Sequence, residues 1–156
     1  MEKKILVAFD DSENAMRGVE FITKSFTPNH KITLFSVIPD TAAACEIFSP
    51  ELTTYFLSQR EIFCSMQDKK TELVNEALTR AKQLLMKAGF PESNISAKVE
   101  PQKKGVARDI IDEAVSGYDI IVIGRRGLSA IKEFFLGSVS QKVIHSAGDV
   151  SVVLVG

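Results

Sequence analysis

Along this chain, short and almost wholly apolar runs alternate with stretches whose apolar residues recur at helical spacing. Lys4 to Phe9, Lys-Ile-Leu-Val-Ala-Phe, is rich in β-formers and apolar on both faces, the pattern of a strand covered by helices above and below. Asp10-Asp11-Ser12 ends it. Ser12 is placed to N-cap a helix over about Glu13 to Ser25, in which Ala15, Val19 and Ile22 share a face. Lys31 to Ile38 predicts a second strand, stopped by Pro39-Asp40. From about 41 to 68 small residues, a proline and aromatics follow no sustained period, so this stretch reads as a long connection containing some helix, of the kind that often serves as a lid. Between Lys69 and Ala88 the positions Leu73, Ala77, Leu78, Ala81, Leu84 and Leu85 form an amphipathic face, with Gly89 and Pro91 as the stop. A third strand is predicted over Asn94 to Glu100, a helix over Val106 to Val115, and a fourth strand over Asp119 to Ile123. The pattern ends with a helix from about Ser138 to Ser146 and a strand from Val150 to Val155.

Strands separated by helices make parallel crossover units, so the fold class is a doubly wound, Rossmann-like α/β sheet of five strands in a single domain over residues 1–156. In such sheets ligands sit beyond the carboxyl ends of the strands, where the strand order reverses. An order 3-2-1-4-5 would put Asp10-Asp11, after the first strand, beside Gly124 to Gly127, after the fourth.

Composition narrows the function classes. With 45% hydrophobic and 25% charged residues and a net charge of −1, the chain has no global attraction to nucleic acid or to an anionic membrane. No apolar run is long enough to span a bilayer and no secretory pattern opens the sequence, which makes a cytoplasmic location the expectation. Cys45 and Cys64 belong to no CxxC or Cys/His cluster, so reduced thiols are expected.

The chemistry gathers around Gly124-Arg125-Arg126-Gly127 and, after nine further residues, Gly137-Ser138. Phosphate can approach a backbone where no Cβ intervenes, and a helix N-terminus adds free N–H groups and partial positive charge. Each residue also has a plainer reading. Asp10 can form the turn and cap the next helix, Arg125 and Arg126 can be solvated loop charges, and Ser138 serves as an N-cap in either case. His30 and His145 have no acid or nucleophile at a recognisable spacing and read as structural or surface residues. The P-loop pattern GxxxxGK[ST], the dinucleotide fingerprint GxGxxG and any catalytic-loop motif are missing.

With Gly124, Gly127, Gly137 and Ser138 at these spacings, and with the start Ile5 to Asn14 and the stretch Asp119 to Gly124, the chain resembles the universal stress protein domain, specifically its ATP-binding branch. The resemblance implies a site for ATP or another adenine nucleotide, with Mg2+ held through Asp10 if a metal takes part. It implies that Asp10 lies by the ribose or adenine and that Val37 lines the adenine pocket. Gly124 and Gly127 would let the loop close over ribose and phosphates, and Gly137, Ser138, Val139 and Ser140 would bind the phosphates. Arg125 and Arg126 fall at positions that vary in the family; by their chemistry, one guanidinium can reach a phosphate oxygen. Asp11 stands where the family often has glycine and adds negative charge near the mouth. Ser151 stands where many relatives have proline. The resemblance further implies a homodimer formed through the Val150–Val155 strand, and a stress-response regulator that senses a nucleotide and acts on an unidentified protein partner. A nucleotide-independent interaction module and a weak ATPase or self-phosphorylating enzyme remain as rivals.

Overall fold

The computed structural model describes residues 1–39, 54–125 and 136–156, the side chains at 54–60 and 63 apart. Arg126, Gly127 and residues 40–53 of the connection lie outside the described residues. The elements run β1 (Lys4–Ala8), α1 (Glu13–Ser25), β2 (Lys31–Ile38), α2 (Thr54–Lys87), a 3-10 turn (Glu92–Asn94), β3 (Ile95–Pro101), α3 (Val106–Ala114), β4 (Ile120–Gly124), α4 (Ser138–Ser146) and β5 (Ser151–Val155). All strands are parallel and form one five-stranded sheet in the order β3-β2-β1-β4-β5.

Successive strand residues point to opposite faces, and this alternation divides the core in two. Ile5, Val7, Ile32, Leu34 and Val122 pack against Val19 and Ile22 of α1 and Val74, Ala77, Leu78, Ala81 and Leu85 of α2. Leu6, Phe35, Ile121 and Ile123 face the other way, onto Ala107, Ile110 and Ala114 of α3 and Val143 of α4. The central strands are therefore buried on both sides, which accounts for their continuous apolar sequence.

The caps follow from local chemistry. The Ala15 amide donates to Ser12 Oγ at 3.2 Å, making Ser12 the N-cap of α1. At the end of α2, Gly89 takes φ +96°, its amide donates to the Met86 carbonyl at 3.0 Å, and the Phe90 amide donates to the Leu85 carbonyl at 3.1 Å. This paired arrangement terminates the helix and turns Phe90 into the core. His30 is structural: its Nδ1 accepts the Lys3 amide at 3.0 Å.

Three expectations need correction. The helix before Gly89 begins at Thr54 rather than near Lys69, so most of the stretch read as connection belongs to a 34-residue helix. Among its described side chains the first buried one is Val74, 2% exposed, while Leu73 is 41% exposed. Cys64 is disulfide-bonded, where reduced thiols were expected. Strand boundaries differ by a residue from the reading: β3, β4 and β5 each start one position later.

Candidate functional site

The strand order reverses between β1 and β4, and there the C-terminal ends of β1, β2 and β4 open into a cavity of about 310 Å³. Its floor is the strand ends: Ala8, Phe9 and Asp10 after β1, Ser36 and Val37 of β2, and Ile123 and Gly124 of β4. One wall comes from the α1–α2 side through Ser12, Ala15, Lys70 and Val74, and the other from Val106 and Ile110 of α3 and Gly137 to Ser140 at the start of α4. Seven of the residues singled out from the sequence thus meet in one place: Asp10, Val37, Gly124, Gly137, Ser138, Val139 and Ser140.

Two buried serines fix the floor. Ser36 Oγ donates to the Phe9 carbonyl at 2.7 Å, tying β2 to the residue before Asp10. Ser140 Oγ donates to the Gly124 carbonyl at 2.7 Å, tying the first turn of α4 to the end of β4. The Ser140 hydroxyl proton is therefore committed within the protein, leaving its backbone amide for a ligand. Asp10 Oδ1 accepts the Ser12 amide at 2.8 Å, so Asp10 does form the turn into α1 while it lines the cavity.

The α4 terminus has the character of an anion cradle. Gly137 is the N-cap, correcting the assignment of that role to Ser138, and no side-chain hydrogen bond caps the helix. The Gly137 amide donates to the Arg125 carbonyl at 2.9 Å, and the first helical bond runs from the Gln141 amide to the Gly137 carbonyl at 3.0 Å. The amides of Ser138, Val139 and Ser140 precede that bond, so they have no partner within the helix and sit at its positive end. This donor set suits a phosphate or carboxylate and needs no metal to do so.

Gly124 meets a different demand from the one its sequence context suggests. A Cβ built there would stand 2.9 Å from Asn14 Cβ and 3.1 Å from the Asn14 backbone carbon and oxygen. The residue is small because the start of α1 crosses directly over the end of β4. Arg125 is absent from the cavity lining; its guanidinium runs beside the end of β5, with Nε and Cζ each 3.6 Å from a Cβ built on Gly156, and its amide donates to the Val155 carbonyl. Asp11 lines a separate open groove with Met16, Arg17 and Arg80 and is absent from the cavity lining; its Oδ1 is buried with no hydrogen-bond partner among the described residues.

Asp109 steadies one wall from behind. Burial raises its carboxyl pKa, but the amides of Lys103 and Lys104 donate to the carboxylate at 2.8 and 3.0 Å, and the net effect of these and the neighbouring Gly105 backbone holds it below the usual range. The resulting loop sets the start of α3, from which Val106 and Ile110 reach the cavity. Lys70, Val74, Val106 and Ile110 escaped the sequence reading, because each lies on a helix far in sequence from the glycines.

The universal stress protein family profile matches residues 1–156. Universal stress protein Sll1388 of Synechocystis sp. is 30% identical over 146 residues, 91% of this chain and 90% of the relative. Universal stress protein MJ0577 of Methanocaldococcus jannaschii is 28% identical over 151 residues, 94% of this chain and 91% of the relative. Among solved structures, that of hypothetical protein MJ0577 is similar with a TM-score of 0.74 and 26% identity, covering 98% of this chain and 94% of that one. Universal stress protein UspA from Lactobacillus plantarum shares the fold with a TM-score of 0.73 at 18% identity, covering 99% and 97%. In sequence and in fold alike, the chain belongs to the universal stress protein family.

Proposed function

We propose that the chain binds an adenine nucleotide, ATP in the first instance, in the cavity between β1 and β4, and that it is a nucleotide-sensing regulatory protein of the stress response. The observation that carries this reading is the α4 N-terminus, which has no side-chain cap and opens into a cavity whose other walls are largely apolar. In this reading Val37 lies against the adenine and Asp10 beside the ribose. The amides of Ser138, Val139 and Ser140 take the phosphates, with Gly137 as their entry point. Gly127 lets the signature loop approach the ribose and phosphates, beyond Gly124 at the cavity floor, and Arg125 or Arg126 swings onto a phosphate oxygen.

Where Mg2+ takes part, Asp10 would be the residue that holds it, in keeping with an ion that uses one or two carboxylates plus substrate phosphates. Among the described lining residues Asp10 is the only carboxylate and there is no histidine or cysteine. The reading is accordingly of a site that binds rather than turns over its nucleotide. Occupancy would be communicated through the Arg125–Leu136 segment and the connection after β2 to a partner protein, and through a homodimer joined along β5. No helix among the described residues is long and apolar enough to cross a membrane.

The test is calorimetric titration of nucleotide-stripped protein with ATP, with and without Mg2+, and with cyclic AMP as competitor. The last is included because one universal stress protein of this fold was solved in complex with cAMP, at 19% identity and a TM-score of 0.61. A saturable micromolar isotherm, about −8 kcal/mol, is the expected result. A folded sample that binds none of these ligands overturns the reading in favour of a nucleotide-independent interaction module.

A further inference from the structure

Lys70 supports an inference that rests on the nucleotide reading and deepens it. At i−4, i−3, i+3 and i+4 along α2 its neighbours are Met66, Gln67, Leu73 and Val74, so its own helix offers it no carboxylate at the spacings where helical ion pairs form. Lys69, by contrast, has Glu72 at i+3. No ion pair involves Lys70 among the described residues, although it is only partly exposed. Its placement is fixed one helical turn away by Val74, which is buried in the core and lines the same cavity. Asp10 is the other charged residue of the described lining, and it stands outside salt-bridge range of Lys70.

A half-buried lysine with no ion-pair partner among the described residues is suited to receive a negative partner from outside the fold. Lys70 enters the cavity from the α1–α2 face of the sheet, whereas the free amides of α4 enter from the opposite face. We propose that Lys70 is a cation that contacts the phosphate group of the bound nucleotide from the cavity wall, so that the anion is held between this ammonium and the α4 N-terminus. It is a specificity residue: it selects phosphorylated adenosine over adenosine itself.

The experiment titrates wild type, Lys70→Gln, Lys70→Ala and Lys70→Arg with ATP, AMP and adenosine by calorimetry, without Mg2+ and at two salt concentrations. Thermal melts confirm that each variant is folded, and Lys70→Gln keeps most of the side-chain stem that packs at the cavity mouth. Loss of the charge should weaken ATP and AMP roughly tenfold or more, the scale of a charge-assisted hydrogen bond. Adenosine affinity should stay within about twofold, and arginine should restore most of the loss. Unchanged ATP affinity in Lys70→Gln, or an equal loss for adenosine, overturns the proposal and makes Lys70 a wall of the pocket only. If wild type itself binds no nucleotide, the underlying reading fails, a result distinguishable because it does not depend on the variants.

Discussion

The hydroxyl of Ser140 donates to the carbonyl oxygen of Gly124 across 2.7 Å, and through this buried bond the first turn of α4 is held against the end of β4. Ser140→Ala removes the donor and leaves a buried carbonyl without that partner. The cost should be about 1–3 kcal/mol of stability, read from urea unfolding with an unchanged m-value. Because the amides of Ser138 and Val139 depend on the same anchorage, ATP affinity should fall as well. A variant as stable as wild type would show that the bond is replaceable.

Gly124→Ala tests a packing constraint. The added methyl meets Asn14 backbone atoms at 3.1 Å, and backbone cannot swing aside as a flexible side chain would. We expect a destabilisation of about 1–3 kcal/mol, whether or not nucleotide is present. Gly137→Val should act differently: Gly137 has φ −70° and ψ 156°, which any residue adopts, so folding should survive while ATP binding is lost. Circular dichroism melts and calorimetry on the two variants separate architecture from ligand approach.

Asp109 makes stability depend on acid. Its folded pKa lies below the ordinary carboxylate value, so it binds protons more readily unfolded than folded. Its contribution is complete above the unfolded pKa of about 3.9 and is lost as the pH falls through the lower folded value. Asp109→Asn should therefore unfold at lower urea concentration than wild type at pH 7, with the gap narrowing below about pH 4. A gap of constant size down to acid pH would remove the carboxylate charge from the account.

On the proposed dimer, β5 pairs with β4 along one side and has no strand on the other among the described residues. Unpaired edge amides and carbonyls template pairing with a second chain. Sedimentation equilibrium should give a dimer at micromolar concentration. Leu154→Lys, at a position 37% exposed, should shift it to monomer without loss of fold. A wild-type monomer would refute this assembly.

The strands and the location of the cavity were legible because both follow from robust signals: apolar runs that only doubly covered strands tolerate, and glycines at the strand end nearest the reversal of order. The start of α2 was not. From Glu61 to Leu73 its described side chains are exposed or half-buried, so over that stretch they offered hydrophobic periodicity no buried position before Val74. Leu73 and Val74 are adjacent and equally apolar, and only the helix's rotation against the sheet decides which is covered. Gly124 shows a second limit. A missing Cβ announces that something comes close, while its identity, here Asn14, depends on how α1 crosses β4.

The backbone bond between Gly137 and Arg125 has one more implication, for how such a protein can diversify. It clasps the two ends of the intervening segment together, so the strand end and the helix start keep their positions whatever lies between them. Lengthening a connection closed at both ends costs only about 0.6 kcal/mol per doubling. Changes in the length of chain between Arg125 and Gly137 can therefore be sampled with little penalty to folding, while the amides at the start of α4 stay in register with the end of β4.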